Sequence, residues 1–458
     1  MSNSKQWFFA IVWIIITIAE FTIFGVTQNT FENLEFVSWM VVANLFFQSL
    51  TMVICRLPLT SFFYAFIVFY YLFHFGQIVM MGLFPDYHYD YLNYVEYYMT
   101  AHSVLDKTME LCIVSINAFF IGGLLVNPSK IYISSRWVKL GSTQVIRRAF
   151  FLLLPFRVLV DGVQITAAMM FGYYGAIKAS QMLPGIIASL GNMWYALVPL
   201  FYLTLDNKQN KRKFILLILV YLGIAMLTGN RGHQFVCLAS LMIVTLATER
   251  IRFRTLLKYG IVVIAGLFFI DIIYEMRETS ISAFLANPLS FTASTDKSNI
   301  ILETIGTFGE TIYTPYLVVD GCDSVYHTWF GEAFVKSLAG VIPDVFGWLK
   351  EINNEAIFPK NLGTQAAIGG SFSGEMYYNF KNWYPLMSAF FGYIYCKLST
   401  IAYQSIKIRK YQEAIMAIAI CSLSLWWVRD AIGNLTRQIV WLYWILLLLR
   451  PKTAKYIQ

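Results

Sequence analysis

Charge is scarce in this sequence: Asp, Glu, Lys and Arg make up 13% of 458 residues, against 58% hydrophobic ones. A water-soluble chain of this length needs far more charge to cover its surface, so a soluble globular protein is excluded. Cysteine is sparse as well. Cys55, Cys112, Cys237, Cys322, Cys396 and Cys421 form no CxxC and no His-spaced pair, and all but Cys322 lie in or beside apolar runs. Neither a disulfide framework nor a zinc site is indicated. No Walker or Rossmann fingerprint occurs, which removes the usual phosphate-cradling loops. No internal repeat signals an inverted-topology transporter. The first apolar run lacks a small-residue cleavage site, so it reads as a permanent helix rather than a signal peptide.

What is present is a succession of apolar runs near the length needed to span a bilayer. They fall at 7–26, 35–55, 60–84, 109–127, 149–171, 185–205, 214–229, 232–248, 259–275, 385–405, 412–429 and 438–450. Runs this long satisfy their backbone in lipid only as helices. The expected fold is all-α, a polytopic membrane helical bundle of about 12 spans. The spans divide it into a bundle over 1–275, a large extracytoplasmic loop over 276–384 and a second bundle over 385–458.

The formal net charge is +8, but its placement matters more than its sum, and nucleic acid is not an expected partner. With the N-terminus inside, inside connections carry basic clusters such as Lys208, Lys211, Arg212 and Lys213, or Arg250, Arg252, Arg254 and Lys258. Short outside connections carry only Lys107, Lys178, Arg231, Arg429 and Arg437. This asymmetry places both termini in the cytoplasm. Two outside connections stand apart. Residues 85–108 hold Asp86, Asp90, Glu96 and Asp106 among many tyrosines. The later loop mixes Gly, Pro, aromatics and amphipathic stretches such as Phe330–Leu349, and is expected to form short helices on the membrane surface.

Several residues could carry chemistry. Thr228-Gly229-Asn230-Arg231-Gly232-His233 is a glycine-flanked turn at the outer membrane edge, where backbone N–H groups and one guanidinium stand together. Arg231 is either an anion ligand or a side chain snorkelling to lipid headgroups. Arg277, Arg429 and Arg437 fall near the same outer plane, and guanidinium forks bind phosphate bidentately. The alternative is pairing with neighbours, Arg277 with Glu275 or Glu278 and Arg429 with Asp430. Arg157 and Asp161 form an i,i+4 pair inside the fifth span, either neutralising one another or leaving Arg157 to touch a ligand. Asp271 and Lys397 are the other charges placed deep. Gly369 to Phe380 reads GGSFSGEMYYNF. Its small residues allow close approach, and Glu375 is a candidate general base with its pKa raised by partial burial. Glu375 at a helix N-terminus is the plainer reading. Glu310 and His327 are further candidates, His327 as a surface residue or a sugar contact. The 29 Tyr and 12 Trp suit sugar stacking and membrane interfaces equally.

The turn Gly229-Asn230-Arg231-Gly232, the segment from Gly370-Ser371 to Asn379-Phe380, and the late Arg429 and Arg437 resemble the Wzy-type polymerases of O-antigen and capsule repeat units. One departure is Lys381, at a position where the resemblance leads one to expect glycine. The resemblance implies a fold similar to the C-type membrane glycosyltransferases. It implies an enzyme at the outer face of the bacterial cytoplasmic membrane, moving a glycan from undecaprenyl diphosphate to a newly flipped lipid-linked repeat unit. A flippase and a chain-length regulator are the implied partners. Arg231, Arg277, Arg429 and Arg437 would hold the lipid diphosphate, with Arg157, His233, Glu310, His327, Tyr378 and Asn379 as further substrate contacts. Glu375 would deprotonate the acceptor hydroxyl or orient the sugar. No metal and no cofactor is expected, and no DxD-like pair occurs on the outer loops. An O-antigen ligase-like transferase, a flippase of lipid-linked sugars and a non-catalytic scaffold are the rival readings.

Overall fold

The computed structural model describes residues 2–27, 30–87, 89, 92–128, 143–226, 228, 232–248, 300–321, 330–343, 348–349, 352 and 369–450. Among these residues every regular element is helical. In chain order the helices are α1 (Ser2–Thr27), α2 (Leu34–Ile54), α3 (Phe62–Leu83), α4 (Tyr94–Tyr97), α5 (His102–Leu124), α6 (Thr143–Met182), α7 (Gly185–Leu203), α8 (Lys208–Met226) and α9 (Gly232–Thr248). They continue with α10 (Ile300–Phe308), α11 (Tyr313–Gly321), α12 (Glu332–Ala339), α13 (Phe372–Phe380), α14 (Tyr384–Lys407), α15 (Ile415–Ser424) and α16 (Ile432–Leu448).

Five stretches are long and apolar enough to cross a membrane: Ser4–Gly25, Leu34–Ile54, Phe62–Leu83, Thr143–Gly172 and Gly185–Leu203. They match the first, second, third, fifth and sixth expected runs. The fifth ends at Gly172, where φ of 67° breaks α6, one residue beyond the end expected from hydropathy. Shorter apolar helices cover Gly232–Thr248, Ile415–Arg429 and Ile432–Leu448. The fourth, seventh and tenth runs fall on α5, α8 and α14. The ninth run, at 259–275, lies outside the described residues.

The chain divides into two compact units. The first comprises Met1–Ile131, Ile301–Thr400 and Ser424–Arg437. Its centre is aromatic: Phe66 stacks on Phe119 at 4.6 Å, and Phe372 meets both edge-on. Here α1 packs on α5 and α2 on α3, while α13 packs on α5 and α11. Glu20 lies inside the first span and is buried, a deep charge that the sequence reading missed. Its two oxygens accept from Asn44 Nδ2 and Asn117 Nδ2, both at 2.6 Å, which ties α1 to α2 and α5. A carboxyl in an apolar bundle is tolerable only with such donors.

One close crossing positions the functional region. A Cβ on Gly76 of α3 would fall 2.2 Å from the Ile305 carbonyl oxygen, and one on Gly309 would fall 2.2 Å from the Gln77 nitrogen. Only glycine at both points lets the 3₁₀ turn Gly309–Ile312 lie directly on α3. α12 has an apolar exposed side, with Val335 and Leu338 exposed beside Phe330 and Ile342. The second unit comprises Tyr132–Ile300, Ile401–Leu423 and Gln438–Gln458. In it α6 packs on α7, and α9 on α7 and α8.

Candidate functional site

The chain leaves helical geometry just before α16. Leu425–Arg429 is a 3₁₀ turn, and Asp430 is extended at φ −136°, ψ 175°. The break leaves the first N–H groups of α16 without intrahelical partners. Asp430 accepts from Ala431 N and from Asn434 Nδ2, each at 2.8 Å. Glu375 accepts the Ile432 N–H, with its two oxygens 3.1 and 3.0 Å away. Its Oε2 also accepts from Trp427 Nε1 at 2.6 Å.

Glu375 is wholly inaccessible, at 0% exposure, so burial is complete where partial burial was expected. Burial pushes its carboxyl up to about 8, opposed by Trp427 and Ile432 and reinforced by the nearby Asp430. Burial likewise raises Asp430 to about 6. The Glu375 carboxyl lies in the first turn of α13, as the plainer reading expects, and from there it also holds the start of α16 in place. The glycines before α13 make this possible. A Cβ on Gly370 would fall 2.3 Å from the Asp430 carbonyl carbon, and one on Gly369 would fall 2.9 Å from the Arg429 oxygen. Ser371 then caps α13 by accepting from Gly374 N at 3.2 Å.

Arg429 and Glu310, singled out separately, are brought together. Arg429 Nη2 lies 3.5 Å from Glu310 Oε2, and the guanidinium sits 5.9 Å from the Phe73 ring centre. The Arg429 side chain keeps 26% exposure and Glu310 12%. Arg429 thus pairs with Glu310 rather than with its neighbour Asp430, and loosely, since 3.5 Å is the limit of a hydrogen bond.

Asn379 and Arg437 both serve α12. Asn379 Oδ1 accepts from Ala333 N at 2.9 Å, and its backbone oxygen accepts from Gly331 N at 3.0 Å. Arg437 Nε donates to the Gly340 oxygen at the other end of α12, at 2.6 Å. Tyr378 is buried. Lys381 has φ of 46°, the left-handed region that suits glycine. The glycine that the resemblance leads one to expect there has a backbone reason.

In the second unit each nitrogen of Arg157 is engaged. Its Nε donates to Asp161 at 2.9 Å, Nη2 pairs with the other Asp161 oxygen, and Nη1 donates to Asn192 Oδ1 at 2.9 Å. Tyr221 donates to Asp161 as well. The guanidinium lies 4.9 Å from the Tyr195 ring, on which His233 stacks at 6.1 Å. Burial with every nitrogen occupied describes a tie among α6, α7 and α8. Arg231, Arg277 and His327 lie outside the described residues.

Sequence reasoning overlooked Trp427 and His74. His74 lies inside α3, with Nε2 2.7 Å from Ser371 Oγ, which in turn lies 3.1 Å from Ser373 Oγ. A histidine within an apolar span was the available signal. Among the described residues, no three His, Cys, Asp or Glu side chains gather as a metal site would require.

A family model described as O-antigen polysaccharide polymerase Wzy matches residues 9–450. No curated protein and no solved structure matches the chain.

Proposed function

Because the chain belongs to the O-antigen polysaccharide polymerase Wzy family, membrane glycosyltransferase-type polymerases of lipid-linked oligosaccharide repeat units, we propose a site and a course for its reaction. The donor is a glycan on undecaprenyl diphosphate at the outer face of the cytoplasmic membrane. The acceptor is the non-reducing end of a newly flipped lipid-linked repeat unit. The bond from the donor's anomeric carbon to the diphosphate oxygen breaks. A new bond forms from that carbon to an acceptor hydroxyl, whose proton passes to the departing lipid diphosphate or to water.

The observation that carries this reading beyond the family is Arg429. Its guanidinium is partly exposed and held by a 3.5 Å pair to Glu310, so a diphosphate can displace the carboxylate and take the fork bidentately. Arg231 and Arg277, outside the described residues, are further proposed ligands of the diphosphate. Arg437 contributes chiefly by fixing α12, since its Nε is engaged by Gly340. Charge building on the leaving diphosphate is then stabilised by fixed cations. Glu375 acts as a positioning residue: its carboxyl holds the break from which Arg429 projects. Asn379 acts likewise through α12, and Arg157 through the α6–α7–α8 tie, with His233 beside it. Glu310 occupies the fork until substrate arrives. Tyr378 and His327 remain proposed substrate contacts.

The same proposal includes about twelve spans, cytoplasmic termini, the three-part division at 275 and 384, and a fold like the C-type membrane glycosyltransferases. The apolar side of α12, with Val335 and Leu338 exposed, supports placing part of the long loop on the membrane surface. A flippase and a chain-length regulator are the proposed partners.

The test uses purified protein and its lipid-linked repeat unit, with products sized on a gel. Wild type should give a ladder, and Arg231→Ala and Arg429→Ala should each give none while remaining folded in the membrane. A normal ladder from either variant removes that arginine from the mechanism.

A further inference from the structure

The candidate anion site is continuous with an array of tyrosines that it does not use. Glu310 lies in the turn Gly309–Ile312, and Tyr313 follows directly. The Tyr313 ring stacks on Tyr94 at 4.9 Å, and Tyr94 packs against Tyr98 at 5.4 Å. Tyr98 also meets Tyr313, at 5.9 Å, and Tyr313 stacks on Tyr316 at 6.2 Å. The array is buried at Tyr316 and open at Tyr98, which is 50% exposed.

The rings are held in place from below. Gln77 of α3 donates to the Leu92 oxygen at 2.9 Å and accepts from Tyr94 N at 3.0 Å. Asn93 caps α4 by accepting from Val95 N and Glu96 N, at 3.1 and 3.3 Å. The Tyr316 hydroxyl accepts from Ala101 N at 3.2 Å. Carboxylates border the rings: exposed Glu96 accepts from the Tyr89 hydroxyl, and exposed Asp320 stands one helical turn beyond Tyr316 on α11.

An interfacial aromatic belt has a different form. There, single rings are spread around the perimeter with polar tips in the headgroups. Here three rings from two segments over 200 residues apart stack on one another and are immobilised by backbone hydrogen bonds. Rigid tyrosines give a large amphipathic surface at small entropic cost. Their faces suit the C–H faces of sugar rings, and the carboxylates suit sugar hydroxyls. The same carboxylates disfavour an anionic headgroup or diphosphate.

We propose that Tyr94, Tyr98 and Tyr313, with Glu96 and Asp320 at their edge, form an oligosaccharide-binding platform beside Arg429. It takes the glycan portion of the lipid-linked substrate while the arginines take its diphosphate. This rests on the polymerase reading for the identity of the glycan, and on the ring geometry for the site.

The probe is free oligosaccharide, released by mild acid from the host cell's own lipid-linked repeat units and titrated into the purified full-length protein. Wild type should bind it. The Tyr94→Ala/Tyr313→Ala variant should raise Kd by about tenfold or more, the loss of one good contact or better. Exposed Tyr98→Ala, which places little demand on folding, should weaken binding by a smaller factor. Tyr94→Phe/Tyr313→Phe keeps the rings and should bind within about threefold of wild type. Inorganic diphosphate should bind all variants alike. Wild-type affinity in Tyr98→Ala and the Ala pair would overturn the platform, as would absent binding in wild type. So would a defect confined to partition into anionic lipid vesicles. A wild-type ladder with unchanged oligosaccharide affinity in the ring variants sinks the platform alone. Ring-dependent sugar binding without any ladder sinks the polymerase site alone.

Discussion

Replacing Glu375 by Gln should make the protein more resistant to unfolding at alkaline pH. The carboxyl is fully buried and pushed from 4.5 to about 8, with burial the largest cause. The folded state therefore keeps a proton that the unfolded chain has released. Stability from this group is complete below the unfolded value and is lost as pH rises through the folded one. Asp430 moves in the same direction but only to about 6, so its contribution is spent at lower pH. Between about pH 6.5 and about pH 8 the Glu375 term remains, at roughly 1.4 kcal/mol per pH unit or about 2 kcal/mol in all. Gln keeps one oxygen to accept from Trp427 and Ile432, so the start of α16 stays capped. Chemical unfolding in micelles across that range should show wild type losing about 2 kcal/mol relative to the variant. Parallel curves for the two proteins would mean that Glu375 is already ionised in the folded state. The account of a buried, proton-retaining carboxyl would then be abandoned.

Arg429→Lys should restore little of the polymer lost in Arg429→Ala, because a point ammonium lacks the fork that spans two phosphate oxygens; gel sizing of surface polysaccharide would show full-length ladders if shape were irrelevant. Lys381→Gly should raise thermal stability by about 1 kcal/mol, relieving a non-glycine residue at positive φ; a lowered melting temperature would contradict that. Arg157→Ala should destabilise by about 3–5 kcal/mol, since it leaves the Asp161 carboxylate buried without its cation; an unchanged unfolding midpoint would show the pair to be dispensable.

The helical membrane class could be read from the chain because apolar runs of spanning length have no other way to satisfy their backbone in lipid. The end of the fifth run, expected at 171, fell one residue from Gly172, but the backbone break there was not foreseen. Glu375 was found as a candidate through its neighbouring glycines and aromatics, but its partners were not, because Trp427 and Ile432 lie more than 50 residues away. The Arg429–Glu310 pair was hidden by a separation of 119 residues, and proximity in sequence pointed wrongly to Asp430. Glu20 was passed over because one carboxylate barely alters the mean hydropathy of a long run, while its amide partners sit on two other helices. Lys381 shows the reverse case: an expected glycine signalled a backbone conformation that the structure contains, although the side chain differs.

The turn at Gly309 lies so close to α3 that no side chain fits at the crossing. It carries the Arg429 partner at its second residue and leads directly into the tyrosine array. A substitution in this stretch therefore acts on the crossing, the Arg429 partner and the ring array together. A strain that acquires a new surface sugar would be expected to change Tyr313 and its surroundings while retaining both crossing glycines. Suppressors of defects at Arg429 should map to these few codons more often than to the rest of the gene.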